Sequence, residues 1–179
     1  MPGQIDSAAD LDWDTEVTPY LRPDEWPEGV LGQMDARVVL ALSDLREKTD
    51  VPMIPSPVSG AHVRDGTSGS RHSVHGGDRL SDATDFFVPW VGAEDVWDAA
   101  NRHPGIGGIG LYDQMMLRGT PGELCMVHID CREEEDIAWI GHGRTSAGRP
   151  QEYVYCRNEP DRFQQLFDEI FNAKLRGGH

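Results

Sequence analysis

The run Leu124-Cys125-Met126-Val127-His128-Ile129-Asp130-Cys131 sets the tightest limit on what this chain can fold into. It is mostly apolar and is followed by an acidic turn at Glu133-Glu134-Glu135-Asp136, so it reads as a buried strand. A strand turns successive side chains to opposite faces. Cys125, Val127, Ile129 and Cys131 therefore share one face, and that apolar face must be covered. Met126, His128 and Asp130 share the other, which sets an imidazole beside a carboxylate without any apolar reason for either. The chain needs a sheet with one packed face and one that carries polar chemistry.

The flanking segments supply such a sheet and its cover. Val38, Leu40, Leu42 and Leu45 predict a helix over Leu31 to Lys48, ending before Asp50-Val51-Pro52 because proline disfavours helical geometry in the preceding residue. Pro52, Pro55 and Pro57 make Val51 to Val58 an edge or irregular strand. Residues 59–79, rich in Gly, Ser, His and Arg, read as a loop. A short helix over Glu94 to Arg102, a Gly-rich strand or turn over Gly105 to Tyr112, and strands at Ile137–Ile140 and Tyr153–Tyr155 follow. A last helix runs from Pro160 to Lys174. The expected class is α+β, a small antiparallel sheet with packed helices, in one domain over residues 21–179. Residues 1–20, polar and acidic, are expected to form an extended or poorly ordered arm.

Charge excludes several partners. With 31 acidic against 16 basic residues the formal charge is −15, whereas nucleic acid demands a basic footprint for phosphates. The start Met1-Pro2-Gly3-Gln4-Ile5-Asp6 lacks a basic and apolar leader, and no apolar run approaches the roughly 20 residues that span a bilayer. The expectation is synthesis in the cytoplasm without a signal peptide and no membrane span. Three cysteines, Cys125, Cys131 and Cys156, do not make a disulfide framework.

Candidate chemistry gathers in two places, Ser70 to Asp85 and the strand of His128. Histidine and aspartate on short segments, followed by a histidine on an apolar strand, is the donor set of a three-ligand zinc site whose fourth position stays open to water. Spacing alone leaves His72 and His75 both open as the first ligand, because each ends a Ser-x-His triplet. Parity sets Cys125 and Cys131 away from His128, which argues against a zinc knuckle there. His62, His103, His142 and His179 are expected on the surface. Gly105-Ile106-Gly107-Gly108-Ile109-Gly110 matches G-x-G-x-x-G, but a helix-like stretch precedes it and an extended one follows, the reverse of a dinucleotide site. Close approach of backbone to other groups explains these glycines better.

The order of helix, Ser56-Pro57-Val58-Ser59-Gly60, Ser70-Arg71-His72, Ala83-Thr84-Asp85, Gly-rich strand and Val127-His128-Ile129-Asp130 resembles the zinc D-Ala-D-Ala carboxypeptidase and endopeptidase family, the LAS-type peptidoglycan metallopeptidases. Their motif is Ser-x-His-x-x-Gly-x-Ala-x-Asp. The spacer here is longer, as in a divergent phage branch where the histidine of the first triplet aligns with the ligand. The resemblance covers Leu31 to Trp139. It implies a hedgehog-like zinc peptidase fold with Zn2+ on His72, Asp85 and His128. It also implies Arg64 against a substrate carboxylate, with Ser70 and Trp139 beside it. Where the family places its base, this chain has Cys125 and Met126, so Asp130 and then Glu123 are the expected substitutes. The implied function is hydrolysis of peptidoglycan peptide by a phage or prophage protein, virion-associated or released to the cell wall. The altered base positions and the acidic arm also fit a virion or tail-tip structural protein that keeps the fold, with other tail proteins as partners.

Overall fold

The protein is described by a computed structural model over residues 6–65, 70–74, 79–114, 123–133, 136–146 and 149–176. Its strands are β1 (Ile54–Pro55), β2 (Arg64–Asp65), β3 (Ser73–Val74), β4 (Ala83–Pro89), β5 (Gly108–Tyr112), β6 (Leu124–Asp130), β7 (Ile137–His142) and β8 (Glu152–Tyr155). Its helices are α1 (Ala36–Thr49), α2 (Trp90–Asn101) and α3 (Pro160–Arg176). Six strands form one sheet in the order β1-β4-β6-β5-β7-β8, antiparallel throughout except for the parallel pair β5–β7. β2 and β3 form a separate two-residue parallel pair. The class is α+β.

The buried strand inferred from residues 124–131 is the inner strand β6, held between β4 and β5. Cys125, Val127, Ile129 and Cys131 enter the apolar core, as their parity requires. There they join Val38, Leu42 and Leu45 of α1, Val96 and Trp97 of α2, and Phe163, Leu166, Ile170 and Phe171 of α3. Burying an aliphatic or aromatic side chain of this size contributes about 1.5–3 kcal/mol, so this face of the sheet and the three helices stabilise one another. None of the three cysteines is in a disulfide, and burial pushes the Cys131 thiol up to about 12.

Several boundaries differ from the expectation, each for a local reason. The first helix begins at Ala36 instead of Leu31, because the Asp35 carboxylate accepts the Arg37 N–H and caps it there. Leu31–Gln33 forms a separate 3-10 turn. β4, a strand not assigned from the sequence, covers Ala83–Pro89 and carries Asp85. Over residues 6–20 the expected arm is packed against the domain. The Ala8 N–H donates to the Met34 carbonyl at 2.8 Å, the Thr18 N–H donates to Ser43 Oγ at 2.7 Å, and Ala8 and Val17 lie in the core. The acidic groups of Asp10, Asp12, Asp14 and Glu16 face solvent, which is why the segment looked uniformly polar. Among the described residues no helix is long and apolar enough to cross a membrane.

Asp35 links these parts: its side chain caps α1, its N–H donates to the Ser81 carbonyl, and it bridges to Ser7. Asp35→Ala is expected to lower stability by about 1–2 kcal/mol in urea denaturation. Asp35→Asn should retain most of it, since asparagine caps as well and the ion pair lost is to a half-exposed Arg37.

Candidate metal centre

Strand register assembles the site. Asp85 of β4 lies directly opposite His128 of β6, and His128 in turn opposite Gly110 of β5. Gly110 is level with Trp139 of β7, and Trp139 with Tyr155 of β8. One row thus crosses five of the six strands on the face turned away from the helices. Directly opposed residues have Cβ atoms about 4.5–5.5 Å apart, close enough for short side chains to meet. A second row carries Asp130 opposite Gly108, and a third carries Tyr112, Gly141 and Tyr153.

His72 comes to this row from the other side. It precedes β3, and its carbonyl accepts the Arg64 N–H at 2.7 Å, which ties it to β2. His72 Nε2 stands 3.1 Å from His128 Nδ1 and 3.5 Å from Asp85 Oδ1, and His128 Nδ1 stands 2.8 Å from Asp85 Oδ1. A tetrahedral ion with bonds of about 2.0–2.1 Å requires donor atoms roughly 3.3 Å apart. The triangle is therefore of the right size, and His72, Asp85 and His128 can hold a metal ion. All three are buried, at 4%, 5% and 5% exposure. Two imidazole nitrogens and a carboxylate oxygen converging in a buried corner are short of a cation, which is the chemical argument for the fit.

The protonation pattern of the metal-free site carries the same message. Burial disfavours a charged His128, but hydrogen bonds to Asp130 and Asp85 outweigh it and raise the imidazole to about 9. Burial likewise opposes the Asp85 carboxylate, and His128 and His72 overcome it, holding Asp85 well below the usual carboxylate range. The cluster supplies its own positive charge, a proton, at the corner where an ion would sit.

Asp130 shares the face of His128, as parity predicts, yet it does not stand where a base would. It is fully buried, and its Oδ2 accepts from His128 Nε2 at 3.2 Å, on the far side of the ring from Nδ1. Its Oδ1 accepts the Arg132 Nε–H at 2.6 Å, and Oδ2 also meets the Arg132 guanidinium. Burial alone would raise Asp130, but Arg132 and His128 hold it well below the usual range. An Nε2–H donated to Asp130 leaves Nδ1 as the ligand atom, the role of a carboxylate behind a metal-binding histidine. Glu123 is exposed and lies just before β6, five residues from His128 and so roughly 17 Å along the strand. Neither expected base is placed to reach a water at the triangle.

The triangle opens into a cleft of about 440 Å³ whose lining includes the remaining expected residues, Arg64, Ser70 and Trp139. Arg64 is exposed, and its Nε–H donates to the Gly60 carbonyl at 2.6 Å. Ser70 Oγ accepts the His72 N–H at 3.4 Å. The Trp139 indole packs on the His128 imidazole with ring centroids 4.9 Å apart. Lining residues that sequence reasoning missed are Arg71, Tyr112, Arg132, Tyr153 and Tyr155. For Tyr153 and Tyr155 a signal existed, since they alternate about the buried Val154 and so share the face of the site.

The glycine motif is explained by close approach. A Cβ on Gly108 would lie 2.2 Å from the Asp130 carboxylate, and one on Gly110 would lie 2.4 Å from the Trp139 indole. Of the histidines expected on the surface, His62 is fully buried, with Nδ1 2.8 Å from Thr84 Oγ1 and Nε2 2.7 Å from the Ser56 carbonyl. His142 is half-buried against Asp113 at 2.8 Å. His75 and His179 lie outside the described residues.

Comparison with protein-family models, with curated proteins and with solved structures finds no match. The site's chemistry therefore rests on its own geometry. Asp130→Asn keeps the shape but weakens the acceptor behind His128. It is expected to lower divalent-metal affinity about 10–100-fold in competition titrations with a chromogenic chelator, with all three ligands still present.

Proposed function

We propose that the protein is a zinc-dependent peptidase that hydrolyses stem or cross-link peptides of peptidoglycan, of the phage D-Ala-D-Ala carboxypeptidase-like kind its motifs resemble. The observation that carries this reading is the triangle of His72 Nε2, Asp85 Oδ1 and His128 Nδ1 at the floor of an open cleft with an exposed arginine. Two imidazoles and one carboxylate suit zinc, and when bound it supplies a Lewis acid and a lowered pKa for water.

The chain's own residues do the rest. Asp130 keeps a proton on His128 Nε2 and so presents Nδ1 toward the cleft. Arg64, free of the deep ion pairs that hold Arg71 to Asp82 and Arg132 to Asp130, offers a planar fork to a peptide carboxylate. Trp139 covers His128 and excludes water from that side of the ring. Such an enzyme acts outside the cytoplasm of the cell whose wall it cuts, carried by a virion or released to the wall.

A second reading is favoured by one feature. Among the described residues lining the cleft, Asp85 is the only carboxylate, so none is left over to accept a proton. That fits a virion or tail-tip protein that keeps the metal site for structure and docks on other tail proteins.

Metal analysis of dialysed protein should find one zinc per chain, lost in His72→Ala, Asp85→Ala and His128→Ala. Protein without stoichiometric zinc would sink both readings. Purified sacculi separate them: release of cleaved stem peptides, abolished by a chelator, supports the peptidase, and bound zinc with intact sacculi supports the structural protein. In an active enzyme Arg64→Ala should lower kcat/KM about 10–100-fold, the worth of a charge-assisted hydrogen bond.

A further inference from the structure

Tyr112 ends β5, two residues beyond Gly110, and its side chain lines the cleft with His72, Asp85 and His128. Three neighbours fix it. Its ring lies against Gly141, where a Cβ would come within 2.6 Å of it. Tyr153 meets the ring edge-on, with centroids 6.2 Å apart at 88°. Its hydroxyl oxygen accepts the Trp139 Nε1–H at 3.3 Å, and Trp139 is itself packed on His128. An oxygen occupied in that way leaves the phenol one proton to donate, and among the described residues that proton has no acceptor.

Of the three guanidinium groups lining the cleft among the described residues, two are committed elsewhere. Arg71 is paired with Asp82 and Arg132 with Asp130, while Arg64 stands exposed and bonded to Gly60, suited to a charged end of the substrate. A rigid, neutral donor beside a metal corner has a recognisable use. Charge develops on a carbonyl oxygen during acyl transfer, and preorganised donors aimed at it need no rearrangement at the moment of reaction. Burial, and then the nearby Asp85 carboxylate, push the Tyr112 phenol up, so it keeps its proton at neutral pH and serves as donor and not as base.

We propose that Tyr112 is a catalytic residue, its hydroxyl donating a hydrogen bond to the oxyanion that forms on the scissile carbonyl, an inference that rests on the peptidase reading above. The oxygen of water forms a bond to the carbonyl carbon, and the C=O π pair moves onto the carbonyl oxygen, where the Tyr112 O–H meets it without giving up its proton. The pair then returns, the C–N bond breaks, and the amine leaves with a proton that came from the water.

The test is Tyr112→Phe, which keeps the ring between Gly141 and Tyr153 and removes the hydroxyl alone. Two readouts are needed on zinc-loaded protein. On a synthetic stem peptide, kcat should fall about 10²–10³-fold, the usual loss for one oxyanion donor, with KM, zinc content and melting temperature unchanged. In calorimetry with a phosphinate analogue of the same peptide, whose tetrahedral oxygens mimic the oxyanion, the variant should bind at least tenfold more weakly than wild type. Binding of the uncleaved peptide's amide isostere should not change. Wild type that cuts no peptide sinks the peptidase reading, and the phosphinate comparison still decides the role of Tyr112. Equal phosphinate affinity in the two proteins, absence of binding in both included, overturns the proposal for Tyr112, as does unchanged kcat in the variant.

Discussion

A fully buried carboxylate, that of Asp130, sits between the Arg132 guanidinium and the His128 imidazole, and most of the site's geometry follows from it. Removing a carboxylate from water is costly, and the cost is offset only when every oxygen is met with good geometry. Here both oxygens are engaged: Oδ1 by Arg132, and Oδ2 by Arg132 and His128. Burial pushes the carboxyl up, and Arg132, with His128, holds it ionised. With that carboxylate in place, the imidazole has one permitted orientation, Nε2 inward and Nδ1 toward Asp85 and His72. The ion pair at the end of β6 is in effect a brace for a candidate ligand, His128, two residues before Asp130 on that strand.

Such a brace needs space that an ordinary sheet lacks. Side chains on neighbouring strands stand side by side on one face, and here the larger member of three pairs reaches across its partner strand. Glycine at the partner position leaves the room: Gly108 for Asp130, Gly110 for Trp139, Gly141 for Tyr112. A Cβ at these positions would lie 2.2, 2.4 and 2.6 Å from the Asp130, Trp139 and Tyr112 side chains, far inside van der Waals contact, so something in the site would have to move. The glycines that imitate a nucleotide-binding motif are therefore part of the candidate metal site by what they omit. Their spacing of two reflects strand parity, not a phosphate loop.

Parity also decided how much of the site could be read from residues alone. The division of β6 into a core face and a site face follows from alternation, and so does the pairing of His128 with Asp130 on one side. What alternation cannot carry is which nitrogen of His128 meets Asp130, because that depends on Arg132 folding back onto the carboxylate from beyond the strand end. His62 was misplaced on the surface for a similar reason: its environment comes from Thr84 and the Ser56 carbonyl, contacts that lie across the edge left open by the two-residue β1. The segment of residues 6–20 hid its packing behind exposed acids, since only Ala8, Val17 and Thr18 of it are buried. Tyr112 was legible only as part of a Gly-rich strand, because its importance comes from register with Gly141 and Tyr153 on strands much later in the chain.

Register also bears on how fast such a site can work. Cys125, three residues before His128, faces the core, and its Sγ–H donates to the Val88 carbonyl at 3.7 Å. Met126, two residues before, shares the site face, but a thioether accepts no proton from water. β6 therefore contributes ligand and brace and no base. General-base assistance is typically worth about 10²–10⁴ in rate, and an oxyanion donor about 10²–10³. On the proposed reading, a cleft with a candidate metal triangle, a positioned phenol and an exposed arginine, whose one carboxylate on β6 is engaged by Arg132 and His128, would keep electrostatic stabilisation and forgo proton abstraction from that strand. On the peptidase reading proposed above, the expected outcome is turnover lower by about the 10²–10⁴ that a general base supplies.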